Sequence, residues 1–520
     1  MNGPLQLSRR TLLGSAGALA GLAGLGLSPR AALAQGTALR AAITGYGVVN
    51  TLDPGKAALI PEFYLIWGIY NGLLKFDDTM QIVPDLAESY KALEGGAIAF
   101  KLREGVKFHD GSVLTADDVK FSLERLLDPA FASPNAAKVA AISKIEVVDD
   151  LNLVIHTKQA FAPLLTFLTN ARTGTQILPR KAFEAAGAEA FARAPIGTGP
   201  YKLKSWETGG SLTLEAFEDH FAGAPAIKTV DVPLIVEEAS GVTALLGGQI
   251  DMTSTVPTAD VPQLMSNKDV TVLRQPGLNV RFISINLQKP PFDDVHFRRA
   301  VAMAFQREAM VKTILFGEGE PLHGFFPPLL GEVFTPGARP ETSFDPAAAK
   351  AELAKSKYKA DEHAVEVLTW GGGWWKRFAE IFVAQVNQVL GTRFTVQVTD
   401  SNAAFARQKS GDFTAGVWGW LGMIDADEYM GDIVHSGGWR NYGKYKNPAV
   451  DTLLENARAE LDPAKRAAIY REAETLAIAD VPIIPCFCSN IHNLVSKRVE
   501  GFVQKPYSNF GDQFAKMRLV

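Results

Sequence analysis

Residues 98–129 read IAFKLREGVKFHDGSVLTADDVKFSLERLLDP. Ile98, Phe100 and Leu102 alternate with Ala99, Lys101 and Arg103, the period of two that a half-buried strand requires. Glu104-Gly105 interrupts the alternation, Val106 and Phe108 resume it, and Asp110-Gly111 breaks it again. Thr115 then opens a helix. Its hydroxyl is placed to accept from the amide of Asp118, whose carboxylate is placed to reach back to the amide of Thr115, a capping box. Leu114 and Val119 sit where a hydrophobic staple puts them. Val119, Leu123, Leu126 and Leu127 follow at helical spacing until Asp128-Pro129 stops the run. Taken alone, this is a hairpin followed by an amphipathic helix, an arrangement found in many folds.

The order of residues says more than their period. F-K-L-R-E-G-V-K-F-H-D-G-x-x-L-T-A-D-D-V-K-F-S-L-E-R, from Phe100 to Arg125, is long and nearly gap-free. It resembles the most recognisable block of the peptide-type solute-binding proteins of ATP-binding cassette importers. These are large extracytoplasmic receptors for oligopeptides, dipeptides, nickel complexes and related solutes. In that family the block is structural, so His109-Asp110 reads as turn chemistry rather than a metal pair. Further segments are similar to the family: Leu52-Asp53-Pro54, Trp67–Asp78, Val83–Tyr90, Pro195–Tyr201, Val242–Asp251 and Lys289–Phe305. The resemblance spans nearly all of residues 40–505. It implies an α/β, three-lobed periplasmic binding protein with a hinge-closing cleft, class II-like and of the large peptide-binding type. Lobe I is expected from 35–72, 190–275 and 486–520, lobe II from 73–189, and lobe III from 276–485. Gly197 and Gly199 do not make a dinucleotide site, because Pro200 follows at once and a strand comes next.

Length and composition agree. A chain of 520 residues holds two or three domains, and 47% hydrophobic content is ordinary for a globular protein. Residues 1–34 read as an export signal. Ser8-Arg9-Arg10-x-Leu12-Leu13 resembles the twin-arginine signal, a Gly/Ala/Leu run follows to Leu27, and Ala32-Leu33-Ala34 offers a small-x-small cleavage site. The run is too short and too rich in glycine for a good membrane span. No cysteine lies near the cleavage site, so a periplasmic protein without a lipid anchor is expected. Losing Arg9, Arg10 and Arg30 takes the formal charge from −4 to −7. A mildly acidic chain without a Lys/Arg-rich run has no electrostatic footprint for nucleic acid.

Along the rest of the chain, Leu39 to Val49 reads as a first strand and 144–157 alternates as strand. Residues 201–218 read as paired strands, and Asn279 to Leu287 is strand-like. Helices are expected over 345–353, 376–390 and from Pro463 to Ala479. Strands are expected over Val365–Trp370 and Val417–Trp420, with Val481–Pro485 and Ile491–Val495 returning the chain.

Catalytic patterns are missing. There is no H-E-x-x-H, no G-x-S-x-G after the signal and no G-x-x-x-x-G-K-[ST]. The eight histidines show no i, i+4 ligand spacing, so neither a metal nor a cofactor is expected. Cys486 and Cys488 share a strand face, where a bridge between i and i+2 would be strained, and they read as two small buried residues.

What remains is a binding site. Trp370, Trp374, Trp375, Trp418, Trp420, Tyr429 and Trp439 crowd into seventy residues. Trp418 and Trp420 are two apart on a strand and face one side. The resemblance implies that Trp418–Tyr429 and the loop after Trp370 line the interlobe cleft, that Tyr46 ends the first strand facing it, and that Asn279 and Arg281 lie near hinge and cleft. The ligand set it implies is Tyr46, Asn279, Arg281, Trp370, Trp374, Trp418, Trp420, Met423, Asp425 and Tyr429. Asp425 and Asp427 fit an acidic turn whose role in the family is largely structural. Dipeptide-binding members hold the ligand's amine with an aspartate where Met423 stands. They hold its carboxylate with an arginine in the loop that is shortened here to Gly371-Gly372-Gly373, and Arg281 is a candidate substitute. A buried unpaired ligand charge costs several kcal/mol, so a pocket of methionine and tryptophan favours a less zwitterionic ligand.

The expected protein is therefore a receptor rather than an enzyme, a monomer whose partners are a small-molecule or peptide ligand and a membrane permease. A peptide is the default ligand, with a glycoside, amine or metal chelate as the alternative. A periplasmic hydrolase would need a nucleophile–base pair. A folding helper or a chemoreceptor's ligand carrier would keep the cleft without a permease.

Overall fold

The structure is a computed structural model that describes residues 38–520 except 208, 338, 372–373, 423–424 and 508–509. The export signal expected at 1–34 and Met423, expected in the cleft, lie outside the described residues.

The block from Ile98 forms its elements where period and caps place them. Ile98–Leu102 is a strand, and Ala116–Leu127 is a helix entered through Thr115. The Asp118 carboxylate accepts from both the amide and the hydroxyl of Thr115, at 2.9 Å each. The capping box is present, and the Asp118 amide also lies 3.1 Å from the Thr115 carbonyl. Val106 and Phe108 do not form a second strand. A single bridge joins Lys107 to Val113, and Asp110 closes the turn by accepting from the amide and hydroxyl of Ser112. Ile98–Leu102 sits inside a four-stranded antiparallel sheet in the order Ala87–Ala92, Ile98–Leu102, Asn152–Thr157, Ile142–Val147. The helix lays Val119, Leu123 and Leu126 on this sheet, in a core shared with Phe100, Leu102, Ile145 and Ile155. Each such side chain contributes about 1.5–3 kcal/mol of burial.

His109 sits in the turn closed by the Gly111 amide on the Phe108 carbonyl, and its side chain reaches out of it. Its Nδ1 accepts from the Gly197 amide at 3.2 Å, so its Nε2–H donates to the Gly199 carbonyl at 2.9 Å. Burial pushes the ring down to about 4, which keeps it neutral. It fastens the small sheet to the crossing segment 195–200. The glycines there are needed for close approach. A Cβ on Gly197 would lie 2.1 Å from the Ile69 carbonyl oxygen, and one on Gly199 would lie 2.4 Å from the Ile69 carbonyl carbon.

The large sheet is mixed. Its order runs Arg393–Thr399, Ala364–Trp370, Ala415–Leu421, Asn279–Ile285, Ile483–Ser496, Met252–Thr253, Ala38–Thr44, Thr229–Ile235, Ser211–Ala216, Tyr201–Trp206. Ala38–Thr44 pairs in parallel with Thr229–Ile235 and Met252–Thr253, and Ala364–Trp370 pairs in parallel with both of its neighbours. The first strand stops at Thr44 rather than Val49, because Gly45 takes a φ of +81° and turns the chain out of the ladder. Ile483–Ser496 is one continuous strand where two were expected. Its beginning pairs with Asn279–Ile285 and its end with Val270–Pro276 and Met252–Thr253, so it joins the two halves of the sheet. The boundary expected at 485/486 falls inside it. Helices Val295–Met303 and Trp375–Leu390 cover one face of the half around Asn279–Ile285. Cys486 and Cys488 are free and buried, and burial lifts both thiols to about 12. Among the described residues no helix is long and apolar enough to cross a membrane.

Candidate functional site

Strands Asn279–Ile285 and Ala415–Leu421 are antiparallel neighbours, with Val280 opposite Trp420, Arg281 opposite Gly419 and Phe282 opposite Trp418. Side chains alternate across the ladder. Trp418, Trp420, Val280 and Phe282 therefore share one face, and Arg281 crosses to the other, lying over the bare Gly419. A Cβ on Gly419 would come within 2.7 Å of the Arg281 Cδ.

On the first face, Trp418 is buried against Trp370, ring centroids 5.5 Å apart, and stacks on Phe405 at 5.5 Å. Two guanidinium groups lie near the Trp420 ring. Arg440 lies 3.7 Å from its ring centroid and also 4.1 Å from that of Trp439, and Arg172 lies 5.7 Å from the Trp420 ring. Arg172 donates to the Leu421 carbonyl. The indole N–H of Trp420 and the Nε of Arg440 are buried without a partner among the described residues. On the opposite face, Arg281 lies 5.6 and 5.4 Å from the rings of Trp374 and Trp375, which stack on each other at 4.3 Å. Trp370 links the two groups, its ring 4.4 Å from that of Trp375. Tyr46, on the loop after the first strand, feels both Arg172 and Arg281. Its hydroxyl is nevertheless raised, because desolvation outweighs the two cations.

The electrostatics are strongly perturbed. Desolvation pushes Arg281 and Arg440 down to about 10. It lowers Arg172 and Lys138 as well, and Lys138 donates to the backbone carbonyl of Arg172. Asp432 is pushed up to about 8 by burial and by the neighbouring Glu428 and Asp427, so it is neutral at pH 7. Perturbed groups of this kind concentrate at functional sites.

Three residues of the expected ligand set have internal partners. Asn279 donates to the Ser489 carbonyl and accepts from the Ser489 amide and hydroxyl, which locks two strands together. Asp425 forms a two-pronged ion pair with Arg466 at 3.0 and 2.8 Å. Tyr429 is fully buried and donates to the Leu278 carbonyl at 2.6 Å. Tyr46, Arg281, Trp370, Trp374, Trp418 and Trp420 are brought together. Reading the sequence missed Arg172 and Arg440. The available signal was an arginine set among small or aromatic neighbours, Asn170-Ala171-Arg172-Thr173-Gly174 and Trp439-Arg440.

A larger cavity of about 410 Å³ lies elsewhere, lined by residues that include Trp67, Asp85, His220, Lys505 and Asp512. Most of its charges pair among themselves, Asp85 with Lys75, Asp512 with Lys505 and Asp78 with Lys516. Among the described residues no cluster of His, Cys, Asp and Glu is arranged to hold a metal ion.

Residues 81–441 match the family described as bacterial extracellular solute-binding proteins, family 5 Middle. The chain is 27% identical over 483 residues to the glutathione-binding protein GsiB of Escherichia coli (strain K12), covering 90% of this chain and 93% of that protein. Its fold superposes on AgaA from A. tumefaciens R10, solved in complex with agropinic acid, with a TM-score of 0.82 at 26% identity, covering 93% and 99% of the two chains. It shares its fold with DppA of Helicobacter pylori, an ABC transporter-associated periplasmic binding protein solved with the peptide STSA, with a TM-score of 0.81 at 24% identity over 92% and 98%.

Proposed function

The chain belongs to family 5 of the bacterial extracellular solute-binding proteins, whose members bind solutes outside the cytoplasm and are not enzymes. From that premise we propose that it is a periplasmic receptor that captures a peptide or peptide-like solute and delivers it to the permease of an ATP-binding cassette importer. One observation carries the site. Residues from three distant parts of the chain come together: Tyr46 feels Arg172 and Arg281, Arg172 and Arg440 lie against Trp420, and Arg281 lies against Trp374 and Trp375. On this reading Tyr46 belongs to lobe I (35–72, 190–275 and 486–520), Arg172 to lobe II (73–189) and the rest to lobe III (276–485). The separate core under Ala116–Leu127 supports treating 73–189 as a lobe. Ile483–Ser496, paired on both sides of the large sheet, is the element about which lobes I and III hinge. Ligand contacts made only in the closed form would stabilise that form.

The ligand-contacting set proposed is Tyr46, Arg281, Trp370, Trp374, Trp418 and Trp420, extended by Arg172 and Arg440. Peptide-like ligands are favoured because relatives are named for glutathione and a fold neighbour holds a peptide. The complex with agropinic acid supports the alternative of a non-peptide solute. The deciding experiment is mass spectrometry of what is released on denaturing protein purified from its own periplasm. A peptide supports the first reading, and a sugar derivative or a chelate supports the second. Uptake of the released compound, lost in a deletion strain, separates a transport role from a carrier without a permease. Residues 1–34 are proposed as a twin-arginine signal, and lysine at both Arg9 and Arg10 should block export. A secretory signal would tolerate that change.

A further inference from the structure

Burying a charge is costly unless something pairs it, and removing one member of a buried pair exposes that cost. Most of this protein's buried arginines are paired or heavily bonded. Arg125 meets Asp53, Arg466 meets Asp425, and Arg298 and Arg307 donate to several carbonyls. Two are not. The Arg440 side chain makes no hydrogen bond or ion pair among the described residues, and its Nε is buried. Among the described residues Arg281 makes one side-chain bond, 3.2 Å to the carbonyl of its neighbour Val280, and its Nε is also buried without a partner. Both lie against tryptophan faces, which stabilise a cation but do not neutralise it.

The surroundings do not neutralise them either. The groups of acidic type that act on Arg281 are Cys488 and Tyr46, and burial keeps both protonated at neutral pH. Around Arg440 the charged neighbours are Arg172, Glu428 and Asp432. Asp432 is neutral at pH 7, and Glu428 also faces Lys138 and Arg172. Asp427 is engaged by Arg458 at 2.7 Å. Positive charge is in excess on both sides of the indole cluster.

We propose that the solute is acidic, with one oxyanion bound by Arg440 over Trp420 and a second acidic group bound by Arg281 beside Tyr46. This rests on the receptor reading and narrows it to a net-anionic ligand such as an acidic peptide or an acid-bearing sugar derivative. The pocket expected from Met423 and the glycine loop favours a ligand of reduced charge. The buried guanidinium groups favour an anion instead. Arg172 is a positioning residue here. It is bound to the Leu421 carbonyl and lies 5.7 Å from the Trp420 ring.

The test uses full-length mature protein freed of ligand by denaturation and refolding. Small molecules extracted from the producing cells are split by ion exchange into anionic, neutral and cationic pools, and each is added in a thermal-shift assay. Stabilisation should follow the anionic pool. Arg440→Gln and Arg281→Gln should each weaken titration by that pool about 10- to 100-fold, the loss of one charge-assisted contact. The same variants without ligand should melt at or above the wild-type temperature, because neither guanidinium braces another element of the fold. A lower melting temperature would assign the arginines to the fold and overturn the proposal. Stabilisation by the neutral or cationic pool, undiminished in the variants, would overturn it while leaving the receptor reading intact. No stabilisation by any pool would overturn the receptor reading and this proposal with it.

Discussion

Asp425→Asn separates a structural acidic turn from a ligand contact. The Asp425 carboxylate is 4% exposed and takes both Nη1 and Nη2 of Arg466, whose side chain is 16% exposed. It also accepts from the Asp427 amide at 2.8 Å. Removing one partner of a buried pair costs about 3–5 kcal/mol, and the partial exposure of Arg466 places this case near the lower figure. Unfolding entropy of about 2.1 cal/mol/K per residue gives roughly 1 kcal/mol/K for a chain of this size. A loss of about 3 kcal/mol therefore lowers Tm by about 3 °C if the chain melts as one unit, and by more if a smaller unit melts alone. Differential scanning calorimetry reads this directly. Solute titration at room temperature, far below the transition, should be nearly unchanged. An unchanged Tm together with lost binding would refute the structural assignment and place Asp425 on the ligand.

Three further outcomes follow from the same geometry. His109 is held neutral, its folded value of about 4 lying below its ordinary 6.5, so protons bind the unfolded chain first. Stability from this group is intact above pH 6.5 and is lost between 6.5 and about 4, by about 3 kcal/mol in all; a pH series of urea melts for wild type and His109→Gln should diverge in that window, and parallel curves would rule the linkage out. Cys486 and Cys488, with thiols near 12, should resist iodoacetamide at about pH 8 in the native state and react in guanidinium, as counted by intact mass. Ligand-free Arg440→Gln should scatter X-rays with a smaller radius of gyration than ligand-free wild type; equal radii would mean that the guanidinium does not oppose closure.

Much of the fold was legible because local chemistry and tertiary environment agree. The alternation from Ile98 and the cap at Thr115 each specify one element, and the core under the helix uses the residues the period picks out. Disagreements arose where pairing replaced pattern. Ile483–Ser496 gains different partners along its length and is buried on both faces at its start. Its hydrophobic run therefore lacks the alternation that would have joined its two halves. Continuation of the first strand as far as Val49 was excluded only by the backbone turn at Gly45. The indole cluster was visible as composition, but its division between two faces depended on the register of Asn279–Ile285 against Ala415–Leu421. Arg172 and Arg440 meet across a sequence separation no local rule spans.

On the proposed reading, the guanidinium groups of Arg281 and Arg440 tie specificity to motion. If the closed form alone desolvates Arg440 and Arg281, closure without ligand carries their cost, while the open form leaves them in water. A cost of about 3 kcal/mol holds the empty closed form below about 1% of the population, since about 1.4 kcal/mol is a factor of ten. An anion that pairs both groups removes that cost only in the closed form, which is the differential affinity a population shift requires. A neutral solute of the same shape would gain the stacking contacts with the indoles but would leave both cations unpaired, and so would close the protein poorly. Discrimination would then reside in closure rather than in first contact. Neutralising Arg440 should consequently raise the closed population of the empty protein while lowering its preference for acidic solutes, two effects of opposite sign from one side chain.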